Sequence, residues 1–126
     1  MNSNQFEPSL FRCERLGEIV LIRFHQEMLT DEINVDQLGH ELTAVVEQPG
    51  WQQCIVSLKN VAHITSSVLG KLIHLHRHLK RKEGKLALCE LSENVMEIME
   101  TSRLDTYFSI FPTVEDVQAV WNESSP

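Results

Sequence analysis

The apolar residues of this chain recur at two spacings, one typical of strands and the other of helices. Two short strand-like runs at 10–15 and 18–24 flank Leu16-Gly17, a combination that predicts a β-hairpin. Beyond the hairpin, Thr30 is expected to cap a helix that Pro49-Gly50 terminates. The apolar residues of this helix, spaced three or four positions apart, are Val35, Leu38, Leu42 and Val45.

A buried strand and a long helix come next. The nearly continuous apolar run at 54–58 is typical of a central parallel strand with both faces buried. The helix is expected to begin at or beside Thr65, Ser66 and Ser67, because hydroxyl residues favour helix N-termini. One of these hydroxyls should accept a hydrogen bond from a first-turn N–H. The apolar positions that define the helix are Val68, Leu72, Leu75 and Leu79, and Glu83-Gly84 ends it.

The last third of the chain repeats strand and helix twice. Strands are predicted at 85–89 and 107–111, and the helices that follow them are capped by Ser92 and Thr113. The resulting order, a hairpin followed by alternating helices and strands, predicts an α/β fold in which about four helices cover a mixed, mostly parallel sheet. The apolar positions of the last two helices are Val95, Ile98 and Met99, then Val114, Val117 and Trp121.

Length and charge narrow the choice of function. The 126 residues are enough for one hydrophobic core, so we expect one domain with a core over about 10–121, a polar segment at 1–9 and a frayed tail at 122–126. The net charge of −7 argues against nucleic acid or an anionic membrane as a partner, because both are usually held by surplus Lys and Arg. No apolar run approaches the ~20 residues that span a bilayer, and 1–8 lacks signal-peptide features, so we expect a cytoplasmic protein.

The cysteines and histidines do not form a recognisable site. Cys13, Cys54 and Cys89 lie far apart in apolar segments, so we expect small buried hydrophobes and no disulfide or zinc site. His74 and His78 share a helix face, but no carboxylate or cysteine lies one turn away on it, so we interpret that face as solvated and expect no metal. GxSxG, P-loop and glycine-rich dinucleotide motifs are absent from the sequence, which predicts no catalytic residue, no cofactor and no enzyme activity.

The segment between the buried strand and the long helix carries the most specific motif. Residues Thr65-Ser66-Ser67-Val68-Leu69-Gly70 resemble the Asp-Ser-Ser/Thr-Gly-Leu-Gly stretch that members of the STAS family typically carry between the third strand and the second helix. The likeness extends to the strand at 55–58, to 84–89 and 91–92, and to 104–108, so that roughly 10–121 can be aligned. The resemblance implies a STAS-like α/β domain.

In function, the resemblance implies an anti-sigma factor antagonist. Such a regulatory protein binds an anti-sigma factor that is also a serine kinase, and so releases a sigma factor for transcription. Phosphorylation of the serine after the motif's Asp reverses the switch; that position carries over to Ser66, with Ser67 as the alternative, and a PP2C-type phosphatase is a further implied partner. The contact surface is expected to include His63, Thr65, Ser67, Val68, Lys71 and His74.

Three positions depart from the family pattern and keep other interpretations open. Thr65 stands where Asp is usual, which removes a carboxylate beside the phosphosite, Val68 stands where Gly is usual, and Arg103 replaces a common Gly. A second interpretation is therefore a STAS module that is not phosphorylated and serves in a scaffold or a homo-oligomer such as a homodimer. A nucleotide or small-ligand sensor is a third, which rests on the resemblance alone because the sequence contains no phosphate-cradling loop.

Overall fold

The computed structural model describes residues 8–48 and 50–123, and its elements follow the predicted order. Residues 1–7, Pro49 as a helix stop and the end of the tail at 124–126 lie outside the described residues. The hairpin strands agree with the prediction to within one residue. The elements are β1 Phe11–Leu16, β2 Ile19–Phe24, β3 Met28–Leu29, α1 Val35–Glu47, β4 Gln53–Ser57, β5 His63–Ile64, α2 Ser66–Arg81, β6 Lys85–Cys89, α3 Glu93–Thr101, β7 Ser109–Phe111 and α4 Val114–Glu123.

The main sheet has five strands in the order β1-β2-β4-β6-β7. Strand β1 pairs antiparallel with β2, and the other three pairings are parallel, which confirms the mixed α/β sheet opened by a hairpin. Ile55 on β4 lies between Leu21 on β2 and Ala87 on β6, and all three are buried. The predicted central strand at 54–58 is thus confirmed. It is buried on both faces because helices cover both sides of the sheet.

The four predicted helices divide between the two faces of the sheet. Helices α1, α2 and α3 pack on one face, around a core that includes Leu38, Leu72 and Val95. Among the helices that the structure describes, α4 alone packs on the other face, through Val117 and Trp121. Among the described residues, no helix has the length and apolarity to cross a bilayer. Because α4 contacts β4, β6 and β7, the helical cover on its face is centred away from β1 and β2.

The cap of helix α1 differs from the prediction. Asn34 caps the helix, since its Oδ1 accepts a hydrogen bond of 3.0 Å from Gln37 N, whereas Thr30 Oγ1 accepts one of 3.3 Å from Glu32 N in the preceding turn. The prediction of Thr30 was wrong because the apolar period begins only at Val35. The predicted caps of α3 and α4, Ser92 and Thr113, are confirmed by bonds from Val95 N and Asp116 N.

The cysteine prediction holds for two of three residues. Cys54 and Cys89 are buried, and their burial raises the pKa of both thiols, so they stay protonated and unreactive. Cys13 is exposed, which corrects the prediction. The reason is that β1 lies at the edge of the sheet, where only Phe11 is buried and the next four residues are exposed.

The last strand is shorter than predicted. It begins at Ser109, and the preceding residues form a turn in which Tyr107 N and Phe108 N both donate to Leu104 O. Phe108 and Tyr107 pack edge-on against His76 of α2, with ring centroids 5.7 Å and 4.9 Å away. This turn therefore closes the core beside α2 instead of extending the sheet.

Candidate functional site

Two short strands place the motif segment at one end of the molecule. Strand β3 pairs in parallel with β5, so that Met28 lies beside His63 and Leu29 beside Ile64. Thr65 N also donates to Leu29 O at 3.0 Å. The segment that follows β2 and the segment that follows β4 are thus joined directly before helix α2 begins. Open α/β sheets place their binding surfaces at this position, beyond the carboxyl ends of the strands.

Asp31 is the central acceptor of the site. Its Oδ1 accepts a hydrogen bond of 2.9 Å from the Thr65 hydroxyl, and its Oδ2 accepts one of 3.2 Å from the Ser67 hydroxyl. One carboxylate thereby binds the two hydroxyls on either side of Ser66 and ties the β3–α1 segment to the first turn of α2. Bonds to an ionised acceptor are stronger than neutral ones, which explains why these hydroxyls select it.

The Asp31 interaction replaces the helix cap that the sequence predicted. Thr65 has the extended backbone of an N-cap residue, with φ −96° and ψ 167°, but its side chain makes no capping hydrogen bond. The prediction that one of the motif hydroxyls accepts from a first-turn N–H was therefore wrong for Thr65. Its hydroxyl serves as a donor to Asp31, a partner 34 residues away in sequence.

Ser66 differs from its two neighbours. It is the first residue of α2 and is exposed. Within the part of the chain that the structure describes, its hydroxyl makes no hydrogen bond to another residue, whereas the hydroxyls of Thr65 and Ser67 are both occupied. Ser66 is consequently the motif hydroxyl that an incoming reactant reaches without breaking a bond.

Lys71 and His74 continue the site along helix α2. Lys71 Nζ lies 3.5 Å from Asp36 Oδ1, and its side chain crosses α1 at Gly39, where an added Cβ would come within 2.9 Å of Lys71 Cδ. The exposed His74 and Ser67 line the same groove of about 670 Å³ between α1 and α2. The groove is therefore lined by both polar and apolar groups, and the ammonium group of Lys71 within it is already paired with Asp36.

The predicted contact residues separate into surface and core. His63 and Thr65 are partly exposed, and Ser67 is exposed, but Val68 is fully buried in the main core. Its placement on the contact surface is corrected, because the side chain at position 68 points from the first turn of α2 toward the sheet. A branched residue fits there by filling core space.

Three residues near the motif escaped the sequence prediction. Met28 is 49% exposed beside His63, Asn94 Nδ2 donates to Ala62 O at 2.7 Å, and Asp31 forms the bridge described above. None belongs to a recognisable motif. The useful signal for Asp31 would have been its position after an apolar strand whose carboxyl end meets the same sheet edge.

The histidines of α2 do not form a metal site within the described residues. No group of three or more His, Cys, Asp or Glu side chains there is arranged to hold a metal ion. His78 Nε2 lies 3.5 Å from Glu47 Oε2 on α1, a contact that becomes an ion pair only when the imidazole is protonated. His78 therefore packs against α1, whereas His74 faces solvent.

Known proteins resemble this chain in sequence and in fold. The family model for the STAS domain matches residues 11–117. A protein of Bordetella bronchiseptica named "Putative anti-sigma factor antagonist BtrV" is 31% identical over 91 residues, which cover 72% of this chain and 75% of that protein. The anti-sigma F factor antagonist of Paenibacillus polymyxa is 22% identical over 98 residues, covering 78% and 80%.

Solved structures share the architecture at lower sequence identity. An anti-sigma-factor antagonist (STAS) domain protein from Planctomyces limnophilus superposes with a TM-score of 0.76 and 20% identity, over 87% of this chain and 95% of that chain. The Bacillus cell fate determinant SpoIIAA in its phosphorylated form gives a TM-score of 0.65 and 21% identity, over 87% and 98%. These similarities confirm the fold.

Proposed function

This chain belongs to the STAS domain family, and from that premise we propose that it is an anti-sigma factor antagonist whose binding is switched by phosphorylation of Ser66. In this proposal the partner is an anti-sigma factor that is also a serine kinase, and a PP2C-type phosphatase reverses the modification. The chain itself performs no chemistry, needs no cofactor and works in the cytoplasm. Relatives that carry the name of anti-sigma factor antagonist support the assignment.

The single observation that carries the phosphosite is the contrast among the three motif hydroxyls. Thr65 and Ser67 both donate to Asp31, whereas Ser66 is exposed on the first turn of α2 without a side-chain partner among the described residues. A kinase can take up the Ser66 hydroxyl without first breaking an internal bond. Phosphorylation of Ser67, the alternative, would remove its bond to Asp31 and place a dianion against that carboxylate.

Asp31 also offsets the departure at Thr65. The motif of the family has an Asp directly before the serine, and Thr65 lacks that charge. The Asp31 carboxylate lies 2.9 Å from the Thr65 hydroxyl, so a negative charge remains beside Ser66 although it comes from a different segment. The proposed kinase would therefore meet an acidic group close to its usual place.

The physical consequences of a phosphate at Ser66 suit a reversible switch. It would add about −1.5 to −2 charges at a helix N-terminus, where the backbone N–H groups and the helix dipole favour an anion and offset its repulsion from Asp31, so the cost to folding is small. A partner that buries a neutral hydroxyl would instead face a dianion next to Asp31. A loss of about 3 kcal/mol at that interface is already more than a hundredfold in affinity.

The proposed contact surface surrounds Ser66. It comprises the exposed or partly exposed residues His63, Thr65, Ser67, Lys71 and His74, together with Met28. An exposed methionine is an adaptable apolar group that packs against irregular surfaces, and it lies next to His63 in the β3–β5 pair. Val68 is left out because it belongs to the core.

The test is to incubate the chain with ATP and the serine kinase encoded beside its gene, and to record intact masses. The proposal predicts one added phosphoryl group, lost in Ser66→Ala and retained in Ser67→Ala. Calorimetry with the same kinase should then show at least a hundredfold weaker binding for Ser66→Asp than for Ser66→Asn. Phosphate that survives Ser66→Ala, or binding that ignores Ser66→Asp, would contradict the switch and favour a module that is not phosphorylated.

A further inference from the structure

Within the described residues, strand β1 is paired along only one of its two edges. It pairs with β2 on one side and is the terminal strand of the five. Its four central residues, Arg12, Cys13, Glu14 and Arg15, are all exposed. An edge strand carries a row of backbone N–H and C=O groups that can pair with another strand. Which strand can pair with this edge therefore depends on the side chains of β1.

The described chain before β1 leaves the edge accessible. Ser9 and Leu10 bend away from the strand, and their backbone N–H groups donate to Glu41 Oε1 on α1 at 3.0 Å and 3.1 Å. The Ser9 hydroxyl donates to Glu41 Oε2 at 2.6 Å. These bonds fasten residues 9 and 10 to the helix face of the sheet, so they do not run along the outer side of β1.

The charges of β1 are complementary to a second copy of the same strand. In an antiparallel strand pair, directly opposite side chains lie on the same face of the sheet. Two copies of one strand related by a two-fold axis meet this condition only if the axis is centred on a residue and not on the bond between two residues. Centring the axis on Arg12, Glu14 or Arg15 sets that charged residue against its own copy. Centring it on Cys13 sets Arg12 opposite the second copy's Glu14, and Glu14 opposite its Arg12. Directly opposed unlike charges stabilise a strand pair, and like charges weaken it.

The same register sets Phe11 opposite the second copy's Arg15, whose aliphatic stem can pack against an aromatic ring. The strand pair ends there, because Leu10 bends toward α1. Arg12 is available for the pairing, since its side chain is 63% exposed and its own-chain distance to Glu14 Oε2 is 4.0 Å. Glu14 already accepts from Arg23 Nε at 2.8 Å and can accept a second guanidinium on its free oxygen.

We propose that this chain forms a homodimer in which two β1 strands pair antiparallel about a two-fold axis at Cys13, joining the two five-stranded sheets. The motif at the start of α2 is not part of this edge, so the dimer leaves the Ser66 surface available. The β1 edge and its charges lie outside the motif, so the dimer does not depend on the proposed switch. A single strand pair buries little area, so the association is weak and concentration-dependent.

Sedimentation velocity over a roughly hundredfold range of protein concentration tests the dimer. Wild type should shift toward twice the 14.5 kDa of the single chain as concentration rises. Arg12→Glu and Glu14→Arg should each weaken association about tenfold or more, since each turns two attractive pairs into repulsive ones. The double variant Arg12→Glu/Glu14→Arg should restore it, because the charges are exchanged and remain complementary.

Arg77→Glu, an equal charge change on the exposed face of α2, is the matched control and should dimerise like wild type. A wild type that stays monomeric throughout, or single variants that associate as well as Arg77→Glu, would overturn the proposal. Circular dichroism on each variant separates lost pairing from lost folding. If one single variant unfolds, the other and the double variant still decide the outcome.

Cys13 supplies a second, geometric readout. In the proposed register the two Cys13 residues are directly opposite, with Cα atoms about 4.5–5.5 Å apart. Although Cys13 is exposed at the sheet edge, incomplete solvation of its sulfur and then the charge of Glu41 raise the pKa of the thiol to about 11, so a short bismaleimide is applied at mildly alkaline pH. Crosslinked dimer should form in wild type and Arg77→Glu and be absent in Cys13→Ser. A dimer that forms without this crosslink would place the interface elsewhere and reject the β1 register.

Discussion

The Thr65 hydroxyl donates a hydrogen bond of 2.9 Å to Asp31 Oδ1, and through it the start of helix α2 is joined to the segment after strand β3. Ser67 strengthens the same connection with a bond of 3.2 Å to Asp31 Oδ2. The connection is the property that distinguishes this motif from a simple helix cap. It also fixes where negative charge lies around Ser66.

Thr65→Asp, which restores the usual acid of the motif, should destabilise this protein. The new carboxylate would lie against Asp31, and like charges at this distance cost about 1 kcal/mol at an exposed site. Their repulsion raises the pKa of the pair, so the loss is full at neutral pH and shrinks as the pH falls and one carboxyl becomes protonated. Urea denaturation at neutral and acidic pH measures this difference. Thr65→Asn is the neutral control, and an equal loss for both variants would show that charge is not the cause.

Glu41→Gln should loosen the attachment of the chain before β1. Glu41 is 6% exposed and accepts hydrogen bonds from Ser9, Leu10 and Gln37. Burial alone would raise the pKa of this carboxyl, but the hydrogen bonds outweigh it and hold the pKa below its usual 4.5. The bonds therefore stabilise the fold above that pH and are lost as the pH falls through the lower folded pKa.

Glu41→Gln is expected to lower the free energy of unfolding by about 1–3 kcal/mol at neutral pH. The single amide oxygen of Gln cannot accept all four hydrogen bonds, and the amide NH₂ group would face other donors. Chemical denaturation checks the value. Glu97→Gln, at an exposed carboxyl on helix α3, is the control and should stay near wild type. A Glu41→Gln variant as stable as this control would show that the bonds contribute no net stability.

His76 should make the protein less stable in mild acid. Its ring packs against Tyr107 and Phe108, and burial, followed by the charge of Lys80, lowers its pKa below the usual 6.5. The unfolded chain therefore takes up the proton first, and the free energy of unfolding falls as the pH drops below about 6.5, by at most about 1.4 kcal/mol per pH unit for one proton.

His76→Leu should reduce that pH dependence while keeping the core filled. The Nδ1 atom of His76 has no hydrogen-bond partner among the described residues, so the substitution removes no buried hydrogen bond there. Urea midpoints between pH 5 and about 8, a range that brackets a histidine's titration, provide the measurement. Equal slopes in wild type and His76→Leu would remove His76 as the cause.

Arg103→Gly should stabilise the protein. Arg103 follows helix α3 with φ 61°, a left-handed conformation that costs a residue with a Cβ and suits glycine. Leu104 N then donates to Met99 O at 2.8 Å, which completes the helix end. We expect a gain of about 0.5–1 kcal/mol in thermal or urea denaturation. Ser102→Gly, where φ is −87°, should destabilise instead, and a loss at both positions would contradict this account.

Much of the fold follows from short stretches of sequence. The caps of α3 and α4 were predictable because Ser92 and Thr113 each bond an N–H only three residues away. The cap of α1 was not, since Thr30 and Asn34 are both good capping residues and only the course of the turn between them chooses. Strands β3 and β5 were missed because two residues carry no hydrophobic period.

The candidate site was predictable in place and only partly in detail. Ser66 could be located from the motif and the following helix. Its difference from Thr65 and Ser67 depends on Asp31, which approaches from 34 residues away, and no local pattern contains that contact. Burial of Val68 and exposure of Cys13 likewise depend on which helix face meets the sheet and which strand lies at its edge.

By itself, then, the sequence of this chain determined the order of its strands and helices, the mixed sheet and the position of the Ser66 motif, because hydrophobic periods and capping residues act within a few positions. Only the tertiary structure decided that Asp31 binds Thr65 and Ser67, and that β1 is the terminal strand of the main sheet. Both depend on strand pairing between distant segments, where backbone hydrogen bonds and burial act across space and no fixed spacing along the chain records them.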